Sequence, residues 1–260
     1  MWNYVHASTA GTSHAKTGAA CQDASRVALV EAGYGPVLVL VCSDGAGSAS
    51  LSEIGSSLAC EEFVRSATEW VALGREPGEL TAEIAHEVCA AIRAALHERA
   101  AQLGVTPRDL ACTLVGAIVS ETSAAFVQVG DGGIVIREHT DTLKPVFWPE
   151  SGEYINTTFF ITGPNLADRV QFSASSRNVR DIALFTDGLQ MLCLKYADRM
   201  VHEPFFRPMF HALRASAEGL ALTPQLESFL NSGPINTRTD DDKTLILATR
   251  PHLALAAPSI

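Results

Sequence analysis

Apolar residues along this chain fall into two kinds of run. The dense runs Val37-Leu38-Val39-Leu40-Val41, Ala124-Ala125-Phe126-Val127-Gln128-Val129 and Ile182-Ala183-Leu184-Phe185 are short and end at turn residues, the pattern of buried strands. The spaced runs are longer. Between 52 and 70 stand Ile54, Leu58, Phe63 and Trp70, and between 79 and 103 stand Ile84, Val88, Ile92, Leu96 and Leu103, at intervals mostly of four or seven that predict helices. The breaker Gly74-Arg75-Glu76-Pro77-Gly78 separates them, so an antiparallel helical pair is expected.

The remaining pattern completes an order of strands, two helices, strands, helices and a strand. Two or three strands with glycine turns fill the beginning up to Val41. Residues 113 to 119 and 124 to 129 form a hairpin about Glu121-Thr122-Ser123, followed by a strand over 133 to 137. Residues 138 to 178, with Pro145, Pro149 and Pro164, read as an irregular excursion over the functional site. Residues 189 to 230 read as mainly helical, and 244 to 249 as the closing strand. Hairpins without a regular βαβ alternation favour antiparallel sheets covered by helices. The expected fold is α+β, a four-layer αββα sandwich, formed by one domain over 1–260, since no Pro/Gly/Ser tract reads as a linker.

Composition narrows the function. A hydrophobic share of 47% is ample for a large core, and a formal net charge of −10 without a Lys/Arg cluster argues against a nucleic-acid partner. The start Met1-Trp2-Asn3-Tyr4 lacks the features of a signal peptide, and no apolar run reaches the ~18 residues of a membrane span, so a cytoplasmic protein without a membrane partner is expected. The six cysteines show no C-x-x-C pair and are read as buried reduced thiols.

Acidic signatures recur beside the predicted strands: Gln22-Asp23, Asp44-Gly45, Gly130-Asp131-Gly132, Asp187-Gly188 and Asp240-Asp241-Asp242. A single Asp-Gly pair is an ordinary turn. The ordered set points instead to one shared site. Carboxylates gathered there would repel and raise one another's pKa unless cations held them ionised, and oxygen-only ligation selects magnesium, manganese or calcium over zinc. No run has the ligand spacing of an EF-hand loop, which disfavours a calcium-stabilised structural domain.

In their order, Gly11-Thr12-Ser13-His14, Cys21-Gln22-Asp23-Ala24, Cys42-Ser43-Asp44-Gly45-Ala46-Gly47, Cys112-Thr113-Leu114, Val129-Gly130-Asp131-Gly132, Thr186-Asp187-Gly188 and Asp241-Asp242-Lys243-Thr244 resemble the type 2C family of metal-dependent serine/threonine protein phosphatases, in its compact bacterial branch. The resemblance spans nearly the whole chain. It implies an αββα sandwich with two Mn2+ or Mg2+ ions at one end, and a bridging hydroxide that attacks the phosphorus of a phosphorylated protein. By the same resemblance Asp44 bridges the two metals, the Gly45 carbonyl ligates the first, Asp187 and Asp241 ligate the second, and Asp131 matches a third, weaker site. Asp23 orients water from just outside the ligand set, and a cognate serine/threonine kinase is the implied functional partner.

Three positions depart from the family pattern. Gly18 stands where many members carry a phosphate-gripping arginine, Gln22 where they carry a glutamate, and Ala46 where some carry a proton-donating histidine. His14 and Lys16 lie in the same segment, and His14 is the candidate for phosphate contact. Cys42 has no nucleophilic role, because a thiol beside a carboxylate has a raised pKa. Within 240 to 242, alternation permits one main ligand, Asp241, and leaves Asp240 and Asp242 as a solvated turn tolerant of alanine. The departures keep a second reading open, a pseudophosphatase serving as a regulatory or binding module.

Overall fold

The computed structural model describes residues 1–138, 142–149 and 158–250. Its strands are β1 (Asn3–Thr9), β2 (Ala24–Ala32), β3 (Gly35–Ser43), β4 (Leu114–Val119), β5 (Ser123–Val129), β6 (Gly133–Arg137), β7 (Lys144–Pro145), β8 (Gln171–Ser176), β9 (Asp181–Phe185), β10 (Leu194–Lys195), β11 (Met200–Val201) and β12 (Lys243–Thr249). The helices are α1 (Thr12–Thr17), α2 (Ser52–Ala72), α3 (Ala82–Leu103), α4 (Gln190–Cys193), α5 (Glu203–Ala215), α6 (Thr223–Leu230) and α7 (Gly233–Asn236). Two five-stranded antiparallel sheets, ordered β1-β12-β9-β6-β7 and β2-β3-β4-β5-β8, carry the fold, and β10 and β11 pair as a small separate hairpin.

Strand alternation splits each apolar run between two cores. In β3, Leu38, Leu40 and Cys42 face the other sheet and pack with Phe126, Ile134, Leu184 and Ile246, whereas Val37, Val39 and Val41 pack with Phe63 of α2 and Ile92 and Leu96 of α3. In the second sheet, Ala183, Phe185, Leu245 and Leu247 pack against Phe206 and Phe210 of α5. This makes α, β, β and α layers with three apolar interfaces, the expected sandwich. Each fully buried large apolar side chain contributes roughly 1.5–3 kcal/mol, and truncating Phe185 to alanine would cost about 3–5 kcal/mol.

The helical pair forms where its periodicity predicts. Thr81 caps α3 by accepting from the Ile84 amide, and Gly104 ends it in the left-handed region at φ 70°. Other local readings are corrected. Residues 171 to 176, read as irregular, are strand β8, paired antiparallel with β5. The remainder of the expected excursion over the site falls partly on 139–141 and 150–157, outside the described residues. The helix α1 and the β10–β11 hairpin were not foreseen, since six residues and two-residue strands carry no readable period. No helix among the described residues is long and apolar enough to cross a membrane.

Candidate active site

One end of the two-sheet interface is polar because the inward-facing period of several strands runs out into carboxylates and hydroxyls. Leu38, Leu40 and Cys42 lead to Asp44, and Ile182 and Leu184 lead to Thr186 and then Asp187. Running the opposite way, Ala248 and Ile246 lead back to Thr244 and Asp242, and Val27 leads back to Ser25 and Asp23. Asp131 arrives differently. The chain leaves one sheet after β5 and enters the other at β6, and Gly130 makes the crossing at φ 102°, a conformation suited to glycine. Gln128 donates to the Gly130 and Gly132 carbonyls, and Gln190 donates to the Asp131 carbonyl at 2.7 Å, so the crossing is pinned from both sides.

The glycines following Asp44 and Asp187 serve close packing. A Cβ on Gly45 would lie 2.6 Å from the Gln22 carbonyl oxygen, and one on Gly188 would lie 2.0 Å from that of Asp242. Both motifs are therefore closed against the segments that carry the other aspartates, and an alanine would push those segments apart. Threonines do the remaining alignment. Thr113 clasps the Asp44 backbone: its Oγ1 accepts from the Asp44 amide at 2.9 Å, and its own amide donates to the Asp44 carbonyl at 2.8 Å. Thr186 and Thr244 donate to Asp23 Oδ2 at 2.7 and 2.8 Å. These three threonines were visible inside the quoted motifs, but a hydroxyl beside an aspartate carries no signal of its partner in sequence.

Electrostatically, the expected residues do come together. Burial, and then the neighbouring Asp187 and Asp23, push Asp44 up to about 11; burial, followed by Asp131 and Asp241, pushes Asp187 up to about 8. Asp23, fully enclosed, rises to about 6 through burial, opposed by its threonine donors, and burial also raises Asp241 on the exposed rim. Asp23 Oδ1 and Asp131 Oδ1 are buried with no hydrogen-bond partner among the described residues, while Asp131 Oδ2 accepts from Thr158 at 2.7 Å. Among the described residues no three His, Cys, Asp or Glu side chains are packed tightly enough to form a finished ligand cage. The carboxylates instead line an open cluster in which like charges face one another, and orphaned oxygens with mutual repulsion are what hard cations relieve.

Asp242 requires a correction. It is not part of a solvated turn: only 2% exposed, it accepts from the Gly11 and Gln22 amides, each at 2.6 Å, and lies 2.9 Å from His14 Nδ1. The closing strand begins at Lys243, so Asp242 still lies in the turn, yet the N-terminal segment folds over it and removes it from water. Asp240 does remain exposed. His14 sits on α1, held by Asp242 and close enough to Asp241 to favour its ionised form. Lys16 is exposed on the same short helix.

The departures also acquire locations. Gly18 ends α1 at φ 72°, and Ala46 is buried with Ala49 and Ala111, so position 46 points into packing. All six cysteines are free, and Cys42 is raised well above its ordinary range by burial, Cys60 and the nearby aspartates, the opposite of activation.

Comparison with known proteins fits this geometry. A family model described as protein phosphatase 2C matches residues 10–231. Serine/threonine-protein phosphatase 3 of Escherichia coli strain K12 is 39% identical over 250 residues, covering 95% of this chain and 98% of that protein. A serine/threonine phosphatase from Staphylococcus aureus has the same fold at a TM-score of 0.58 and 16% identity, over 97% of this chain and 96% of its own. RsbX, crystallised in complex with magnesium, aligns at a TM-score of 0.54 and 12% identity, over 95% of this chain and 94% of its own. With the family model spanning most of the chain and a relative this similar along its full length, the chain belongs to the protein phosphatase 2C family, the metal-dependent serine/threonine phosphoprotein phosphatases.

Proposed function

We propose that the aspartate end of the sandwich is where this protein hydrolyses phosphoserine and phosphothreonine of protein substrates with two divalent cations, Mn2+ or Mg2+. The observation that carries this reading is the convergence of Asp44, Asp131, Asp187 and Asp241 from separate segments onto one end, where each of Asp44, Asp187 and Asp241 is driven toward protonation. Asp44 and the Gly45 carbonyl would hold the first ion, Asp44, Asp187 and Asp241 the second, and Asp131 a weaker third. When bound, the cations act as Lewis acids that make water nucleophilic and neutralise charge on the phosphoryl oxygens.

The protein's own residues supply position. Thr113 fixes the Asp44 backbone, and Thr186 and Thr244 hold Asp23 behind it to orient water. Asp242 sets the His14 ring, which we assign to contact with the substrate phosphate. Asp241 and His14 lie toward solvent, where a phosphorylated segment of another protein can enter, and a cognate kinase would supply that substrate. The whole chain acts as one catalytic domain, and the free cysteines fit the reducing cytoplasm of a bacterial cell.

Burial of Ala46 among alanines favours a second reading, a pseudophosphatase, because no proton donor for the leaving alkoxide stands at that position. A phosphothreonine-peptide release assay with and without manganese separates the two. Manganese-dependent turnover abolished by a chelator is expected; manganese binding without turnover would establish the binding module, and turnover without any metal would refute the site.

A further inference from the structure

Behind the aspartate cluster, a cleft of about 420 Å³ opens between the edge strands β1 and β2, lined by His6, Ser8, Asp23, Ser25, Arg26 and Glu227. Ser8 and Thr244 are register partners of the β1–β12 pair, which places their hydroxyl oxygens 2.7 Å apart. Ser8 Oγ is in turn 3.3 Å from Ser25 Oγ, and Ser25 Oγ is 3.0 Å from His6 Nδ1. A continuous row of polar atoms thus runs from His6 through Ser25, Ser8 and Thr244 to Asp23 Oδ2.

The row can run in either of two directions, and the His6 tautomer selects between them. Each hydroxyl carries a single proton, and an ionised carboxylate only accepts. Thr244 is placed to donate either to Ser8 or to Asp23, and it has one proton: when Ser8 donates to Thr244, the Thr244 proton goes to Asp23. Ser8 then accepts from Ser25, and Ser25 accepts from His6, which must carry its proton on Nδ1. Burial lowers the pKa of His6 and favours the neutral ring, whose single N–H is on one nitrogen or the other. With the proton on Nε2, Nδ1 accepts from Ser25 and the row runs the other way, Thr244 donating to Ser8 and Asp23 losing that donor. Aligned donors polarise one another, so the row directed at Asp23 holds it more firmly than Thr244 alone.

Resting on the assignment of Asp23 to the reaction above, we propose that His6, Ser25 and Ser8 are positioning residues for Asp23, and that the His6 Nδ1–H tautomer sets the direction of the hydrogen bonds that orient it. The charged groups facing His6 in the cleft are Asp23 and Arg26 from β2 and its approach and Glu227 from α6. None of the three positioning residues belongs to the acidic signatures, and His6 is separated from Asp23 by three hydroxyls.

Two measurements on the full-length protein test the proposal. Long-range ¹H–¹⁵N spectra of the metal-free protein read the His6 tautomer without any turnover: Nδ1–H is expected in wild type and its loss in Ser25→Ala, whereas Nε2–H in wild type would overturn the proposal. In the manganese-loaded protein, His6→Leu and Ser8→Ala should each lower kcat about tenfold with KM unchanged, as one aligning hydrogen bond predicts. His6→Asn, whose amide nitrogen takes the place of Nδ1, should recover activity to within about threefold of wild type on the same grounds. Equal losses in His6→Leu and His6→Asn, with both proteins folded by thermal melting, would reduce His6 to packing and overturn the proposal. Wild-type protein lacking phosphatase activity would refute the function assigned to the site, and the tautomer measurement would still decide the direction of the row.

Discussion

Strand β9 carries an aspartate near each end, and the two have opposite surroundings. Asp181, which opens the strand, is 3% exposed and faces protein cations: Arg214 donates to both its oxygens at 2.9 Å, Arg137 lies 3.2 Å away, and Thr249 donates at 2.6 Å. Arg137, Asp181 and Thr249 are aligned across β6, β9 and β12 by register, so the sheet itself completes this cluster. Asp187, just past the other end, has Asp131, Asp241 and Asp23 as its electrostatic neighbours. One end of the sandwich is internally neutralised and stabilises the fold; the other gathers carboxylates without a facing arginine or lysine, and burial with mutual repulsion drives them toward protonation. Electrostatics left incomplete in this way are what mark the aspartate end as the candidate site.

The sharpest way to break this comparison is Asp44→Asn. In the manganese-loaded protein it should reduce phosphopeptide turnover by more than about a hundredfold, given the role proposed for a bridging ligand. The same change should raise the melting temperature of the metal-free protein, because it removes one of the facing carboxylates. Unchanged turnover would place the metal centre elsewhere. At the opposite end Asp181→Asn should do the reverse, leaving Arg137 and the Arg214 guanidinium under-compensated. Arg214 is 39% exposed, so the loss should be about 2–3 kcal/mol in urea unfolding, below the range for fully buried pairs, with near-normal activity per folded molecule.

Asp242 provides a test of intermediate size. Asp242→Ala removes the acceptor of two amides and the partner of His14, and should cost about 2–3 kcal/mol, whereas exposed Asp240→Ala should stay within about 0.5 kcal/mol. Equal tolerance of the two would restore the solvated-turn reading. A separate test is the pH dependence of the metal-free protein. Folding raises the pKa of Asp23 to about 6 and of Asp187 to about 8, so the folded state binds more protons than the unfolded one across that window. Their contribution to stability is greatest below the ordinary carboxylate range and is lost as pH rises through about 6 and then about 8. Melting temperature should therefore fall between those values, and manganese should suppress the fall; a rise with pH would contradict the enclosure of unneutralised carboxylates.

Much of this was legible without coordinates, for a physical reason. Period-two runs and the helical spacing of Ile84, Val88, Ile92 and Leu96 report burial directly, and the aspartates standing at the ends of apolar strands mark a common edge wherever those strands share a sheet interface. The signatures from Gln22-Asp23 to Asp241-Asp242 could thus be grouped, and their family resemblance read, from order alone. Sequence patterns do not report which sheet a strand joins or which partner faces a polar side chain. The transfer of the chain between sheets at Gly130-Asp131-Gly132, the pairing of β8 with β5, the enclosure of Asp242 by the Gly11 and Gln22 amides, and the contrast between Asp181 and Asp187 all depend on segments far apart in the chain. Local pattern determined what each residue could bury; only tertiary structure, by bringing distant donors, cations and carboxylates within a few ångströms, decided which charges were neutralised and which were left for a ligand.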